Sequence, residues 1–179
     1  MGRKESRIQS WTSRFLLTIF IILTTQNLIS SPVDDHQERF EDVALKIWEY
    51  AELGYLEEKS SGLLQQELED SGFTIQSGIA GIPTAFIAEY NNGGPVLGIL
   101  GEFDALPGLS QQNVPFKTAE GLSSANGHAC GHHLFGAASA WAVVAIKEWL
   151  EESGTHGTIR FYGTPAEEGG SGKVYIARD

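Results

Sequence analysis

The chain is short of three things. It has one cysteine, Cys130, in 179 residues, so no internal disulfide can staple the fold. It has 12 lysines and arginines against 23 aspartates and glutamates, a formal net charge of −11. That balance leaves no basic face for nucleic acid; the acidity instead suits a well-solvated surface. Its N-terminal apolar run, residues 15–23, falls well below the ~20 residues that a membrane-spanning helix needs. What is present is ordinary for a globular protein: 41% hydrophobic and 20% charged residues, in a length that suits about one domain with a real core.

The N-terminal run has company. Arg3, Lys4, Arg7 and Arg14 precede or border it, and Ser30, Ser31 and Pro32 follow it. A basic stretch, a short apolar stretch and small residues form the pattern of a secretory signal peptide over residues 1–31, with a signal anchor as the alternative and a buried core helix as the bland one. The expected location is therefore the secretory pathway, with membrane attachment only if this segment stays uncleaved. Set aside, it takes four basic and one acidic residue with it and leaves eight against twenty-two, a net of −14. In a secreted chain the unpaired Cys130 then points to a ligand or a reactive thiol.

Periodicity predicts helices over 35–53 (Phe40, Val43, Ala44, Ile47, Trp48, Ala51) and 60–71 (Leu63, Leu64, Leu68), stopped by Gly54 and Gly72. Short β-type runs follow over 73–76, 84–90 and 95–101, and Asn91-Asn-Gly-Gly94 between the last two predicts a hairpin turn. The run 95–101 is apolar almost throughout, as in a strand buried on both faces. A long polar loop over 102–127 is of the kind that carries function. An alanine-rich helix over 131–152, a strand over 158–162 and a glycine-rich loop over 163–172 complete the chain. Together these predict an α/β layered domain with a mixed sheet, in which ligands gather beyond the carboxyl ends of strands.

Three chemistry-bearing segments fall at such ends or at a helix start. Cys130 and His132 straddle a glycine at the mouth of the long helix, where a thiol pKa can drop; thiolate and imidazole are both zinc ligands. The bland alternative is a buried cysteine beside a capping histidine. His128, His132 and His133 put three of the five histidines into six residues. Glu167 and Glu168 are adjacent, so in extended backbone they point apart, and one can bind metal while the other serves a water as general base; a solvated acidic loop is the alternative. Glu102 and Asp104 alternate beyond a strand, facing one pocket, and Asp104 can orient a ligating histidine. Strand-end solvation is their alternative. Trp141 and Trp149 are expected to pack rather than bind substrate, and His36 and His156 to lie on the surface.

Gly101-Glu-Phe-Asp-Ala-Leu-Pro-Gly108, Gly127-His-Ala-Cys-Gly-His132 and Gly163-Thr-Pro-Ala-Glu-Glu-Gly-Gly-Ser-Gly-Lys173, in that order, resemble the co-catalytic zinc amidohydrolases and peptidases of the aminoacylase, carboxypeptidase and dipeptidase family. Leu106-Pro-Gly-Leu-Ser-Gln111 brings the chain nearest to the aminobenzoyl-glutamate branch. The resemblance covers residues 36–179. It implies two divalent ions, zinc first and manganese second, with Cys130 bridging them and His132 and Glu168 as further ligands. It implies Glu167 as general base, Asp104 as the carboxylate behind the ligating histidine, and hydrolysis of an amide bond in an N-acyl amino acid or dipeptide by a metal-activated water. The implied fold is a three-layer mixed-sheet zinc-peptidase catalytic domain, with residues 32–179 as its N-terminal part. Members of the family carry an insert dimerisation domain and further ligating histidines downstream, and they form homo- or hetero-oligomers. This chain reads Ala177-Arg-Asp179 soon after the Glu-Glu motif, so the resemblance implies an N-terminal fragment that lacks the insert. His133 stands where asparagine or aspartate is more familiar. Two other functions compete: a non-catalytic remnant that binds metal or a partner, and a thiol protease using Cys130, which would survive a chelator.

Overall fold

Phe40, Val43, Ala44 and Ile47 recur at helical spacing and are all buried on one face of α1, Gln37–Tyr50. The computed structural model describes residues 33–116 and 125–179. The expected signal segment and the middle of the long polar loop therefore lie outside the described residues. The chain divides into two units, 1–35 and 36–179, and the architecture below is that of the second.

Helix α1 ends at Tyr50, short of the expected stop at Gly54: Ala51 turns left-handed at φ 43° and its N–H donates to the Ile47 carbonyl at 3.1 Å. Helix α2, Glu58–Asp70, buries Leu64 and Leu68. Its first turn is met by Glu52, whose carboxylate accepts from the Lys59 and Ser60 amides at 3.0 and 2.8 Å, as an anion should at a helix N-terminus. Strands β1 (Thr74–Ser77), β2 (Phe86–Asn91) and β3 (Val96–Gly101) follow, then α3 (His132–Ser153), β4 (Thr158–Gly163) and α4 (Gly172–Arg178). The last of these was not foreseen: it is a short helix beginning where the glycine-rich loop was expected to end.

Among the described residues the four strands form one mixed sheet in the order β1-β2-β4-β3. This corrects the hairpin. Strand β2 pairs antiparallel with β4, and β3 pairs parallel with β4, so β4 enters between the two strands that the Asn-Gly turn joins. The turn crosses over the start of β4, where a Cβ on Gly94 (φ +70°) would sit 2.5 Å from the His156 carbonyl oxygen. That approach needs glycine for space and for backbone angle.

A second correction concerns β3. It is an edge strand in the described sheet, and Val96, Leu97 and Leu100 are 57%, 50% and 45% exposed. A continuous apolar run signals burial on both faces only where both faces are covered.

The core lies between one face of the sheet and α1–α3. Phe86, Ala88, Ile159 and Phe161 alternate along β2 and β4 to face Phe40, Ile47, Leu64, Val143 and Val144. Each of the larger side chains contributes about 1.5–3 kcal/mol on burial. Trp141 joins this core, stacked on Phe40 at 6.2 Å, whereas Trp149 is exposed and does not pack as expected. On the other sheet face Ile87 meets a smaller cluster of Ile79, Ile82, Ala85 and Ile176. Among the described residues no helix is long and apolar enough to cross a membrane.

Candidate metal centre

Strands β3 and β4 run parallel, so their carboxyl ends lie side by side. The Thr164 amide and hydroxyl both bond the Gly101 carbonyl, at 2.9 and 3.1 Å. That clasp places the residues after β3 next to the Glu167-Glu168 loop after β4. The start of α3 comes in from the third side. Its approach depends on Gly136, where a Cβ would lie 2.5 Å from the Glu102 carbonyl oxygen.

His132, buried at the first position of α3, is the hub. Phe103 turns into the core, so Glu102 and Asp104 turn the other way. They reach the two nitrogens of one imidazole. His132 Nδ1 lies 2.8 Å from Asp104 Oδ1, and Nε2 lies 2.8 Å from Glu102 Oε2. Glu167 Oε2 stands 3.7 Å from Nε2, and Glu168 Oε1 stands 3.9 Å from Nδ1. Asp104, 1% exposed, also accepts the Glu168 amide at 2.8 Å. One carboxylate thus fixes both the ring and the loop that carries the glutamate pair. Lys173, from the first turn of α4, closes the set by pairing with the other oxygen of Glu102.

The electrostatics follow from this arrangement. The hydrogen bond that His132 donates to Asp104 is the largest influence on the ring and raises its pKa above 6.5 against the opposing effect of burial. Burial works against the charge on Asp104, but the bonds from His132 and the Glu168 amide outweigh it, and its pKa falls below 3.8. Cys130 departs from expectation. It lies on the exposed turn ahead of the helix, and hydrogen bonding to Glu168 and then burial raise its pKa above 9.0. Nearby carboxylates outweigh the helix terminus here, and only a cation would reverse that balance.

The residues fit such a cation. Glu102, His132 and Glu167 each offer a ligand atom, and these atoms lie within 4.8 Å of one another. Glu168 Oε1 is buried without a hydrogen-bond partner, a state that buried polar atoms rarely keep. Imidazole, thiol and carboxylates are donors that suit zinc and its neighbours. Of the five expected residues, Asp104, His132, Glu167 and Glu168 converge directly, and Cys130 adjoins them through Glu168. Glu102 is closer to His132 than its lack of an assigned role implied. Lys173 was missed, though its place six residues after Glu167 in a chain so poor in cations was a usable signal.

His128 and His133 form a pair of their own. Their rings lie 5.0 Å apart, His128 Nε2 donates to the Ile47 carbonyl at 3.0 Å, and burial drives the His133 pKa down to about 4.

Known proteins share this sequence and fold. The profile of peptidase family M20/M25/M40 matches residues 98–178. The chain is 44% identical over 151 residues to one of the subunits of p-aminobenzoyl-glutamate hydrolase from Escherichia coli (strain K12), across 84% of this chain and 31% of that protein. It is 31% identical over 155 residues to the Xaa-Arg dipeptidase of Mus musculus, across 79% of this chain and 32% of that protein. The structure superposes on the Bacillus subtilis YXEP protein, a dinuclear metal binding peptidase from the M20 family, with a TM-score of 0.67 and 26% identity, covering 81% of this chain and 39% of that one. The chain spans about a third of the length of these curated relatives. Motifs, sheet and matches point the same way: residues 98–178 match peptidase family M20/M25/M40, and the fold is that of a solved dinuclear metal binding peptidase of the M20 family.

Proposed function

We propose that the whole protein hydrolyses the amide bond of an N-acyl amino acid or dipeptide, with aminobenzoyl-glutamate-like compounds as the first substrates to try. The observation that carries this is the single buried imidazole held by Asp104 on one nitrogen while the other faces Glu102 and Glu167. Cys130, His132 and Glu168 would hold two divalent ions, zinc before manganese, which supply Lewis acidity and a water acidic enough to ionise near neutral pH.

The chain's own residues do the rest. Asp104 keeps the proton of His132 on Nδ1 and frees Nε2 as a donor atom. The Glu167 side chain is 43% exposed, open to an incoming substrate. It accepts the proton of the attacking water and returns it to the departing nitrogen. Glu102, neutralised by Lys173, stays beside Nε2 without adding a free negative charge.

Glu167→Gln in the whole protein should retain its metal and lose about 10²–10⁴-fold in turnover, read with N-acyl amino acid and dipeptide substrates. Near-normal turnover would remove Glu167 from the role of base. A second reading is a metal-binding module without turnover, for which the Glu102, His132 and Glu167 cluster is the supporting observation. Zinc stoichiometry on the 179-residue chain, run beside the amidase assay, separates the two. We further propose a secretory location from the N-terminal pattern, tested by N-terminal sequencing of the mature protein. An oligomer is proposed because one relative is itself named as a subunit of its hydrolase; the mass of the protein in solution is the test.

A further inference from the structure

We infer that Glu57 is a positioning residue for the glutamate pair, holding the backbone turn that aims Glu167 and Glu168. The inference rests on the reading of those two glutamates as the working carboxylates.

Glu57 lies in the connection between α1 and α2, far from the motifs in sequence, yet it is 0% exposed. A carboxylate is almost never fully buried without partners of its own. Its Oε1 accepts the Ala166 amide at 2.8 Å and its Oε2 accepts the Thr84 hydroxyl at 3.0 Å. Burial raises its pKa above 4.5 against the lowering effect of these bonds.

Ala166 immediately precedes Glu167 and is itself buried. It holds a left-handed backbone, φ 56°, which alanine rarely adopts. Such a conformation persists only where its surroundings over-determine it. Three neighbours from one short segment do so. Gly54 packs against Ala166, with room for no side chain: a Cβ there would lie 3.0 Å from the Ala166 Cα and Cβ. Tyr55 donates its hydroxyl to the Gly170 carbonyl, and Glu57 takes the Ala166 N–H. Ala166 in turn offers its carbonyl to the Gly170 amide at 3.0 Å. The segment 54–57 is therefore a clasp on the loop 166–170, and Glu57 is its buried, polar member.

Glu57→Leu keeps the volume and removes both acceptors. Glu57→Gln keeps an acceptor for Ala166 and a donor for Thr84. Thr84→Val removes the other partner of Glu57 and leaves the Ala166 bond intact. Two readouts on the full chain apply: cobalt(II) affinity by titration of its visible absorption, and amide exchange at Ala166, Glu168 and Gly170 by NMR without metal. The Leu variant should bind cobalt about 10–100-fold more weakly and exchange these amides at least about fivefold faster. The Gln variant should recover both. Thr84→Val should lower thermal stability while cobalt affinity holds, which a purely structural role for Glu57 would not produce.

A folded Leu variant with unchanged amide exchange, or a Thr84→Val variant that loses as much cobalt affinity as the Leu variant, overturns the inference. If the unaltered chain binds no cobalt, the proposed function fails instead, and exchange in the metal-free protein still decides the role of Glu57.

Discussion

His132 and Asp104 carry opposite linkages to pH, and the pair makes a sharp residue-scale test. The pKa of Asp104 is depressed below 3.8, so its contribution to stability is present above that value and lost as pH falls through the lower folded pKa. The pKa of His132 is raised above 6.5, so its contribution is full below that value and lost as pH rises through the raised one. The pair thus steadies the metal-free protein most in the window between the two. Urea midpoints of the metal-free chain should fall as pH climbs past 6.5, and Asp104→Asn should flatten that fall. A variant with the same slope would remove the pair as its cause. Cys130 supplies a second test. Its thiol pKa is raised without a cation, so a bound zinc must displace the proton. Cys130→Ser should lower zinc content in equilibrium dialysis with elemental analysis; unchanged content would leave the thiol without a role. The residue types and their spacing were legible in the sequence here, down to Asp104 as the partner of His132. The elevated thiol pKa was not, because it depends on Glu168, Glu167 and Asp104, which reach the thiol from the ends of two different strands.

At the scale of elements, the approach of α3 to the end of β3 controls whether His132 reaches its carboxylates. Gly136 leaves no room for a methyl group, since the atom it would meet is the Glu102 backbone oxygen and not a flexible side chain. Gly136→Ala should cost about 1–3 kcal/mol in denaturant unfolding, the usual penalty for forcing extra volume into a packed contact, and should weaken zinc binding as well. Full stability and affinity together would show that the helix has slack. Helices α1–α3 and the strands were legible within a few residues because amphipathic spacing is a local property. The pairing of those strands was not. The Asn91–Gly94 turn has hairpin chemistry, yet β4 separates the strands it joins, and nothing within a few residues of the turn encodes that insertion.

At the scale of the whole molecule, β3 leaves one edge of the described sheet open, with Val96, Leu97 and Leu100 exposed on it. An apolar strand edge is a template for pairing with another chain. The 179-residue chain should therefore self-associate as its concentration rises in sedimentation velocity, and Val96→Lys with Leu100→Lys should suppress this. Identical sedimentation of the two proteins at all concentrations would show that the edge is protected in solution. The large negative charge opposes association, so added salt should promote it.

The amino-acid sequence by itself determined helices α1–α3 and the strands, the α/β class, the candidate metal ligands and the family resemblance, because periodicity, turn residues and motif spacing all act over a few residues. Only the tertiary structure decided the strand order, the open edge at β3, which carboxylate meets which nitrogen of His132, and the burial of Glu57 beneath the glutamate loop. Those depend on contacts between segments distant in the chain, whose energies arise from packing and desolvation in three dimensions and leave no local pattern behind.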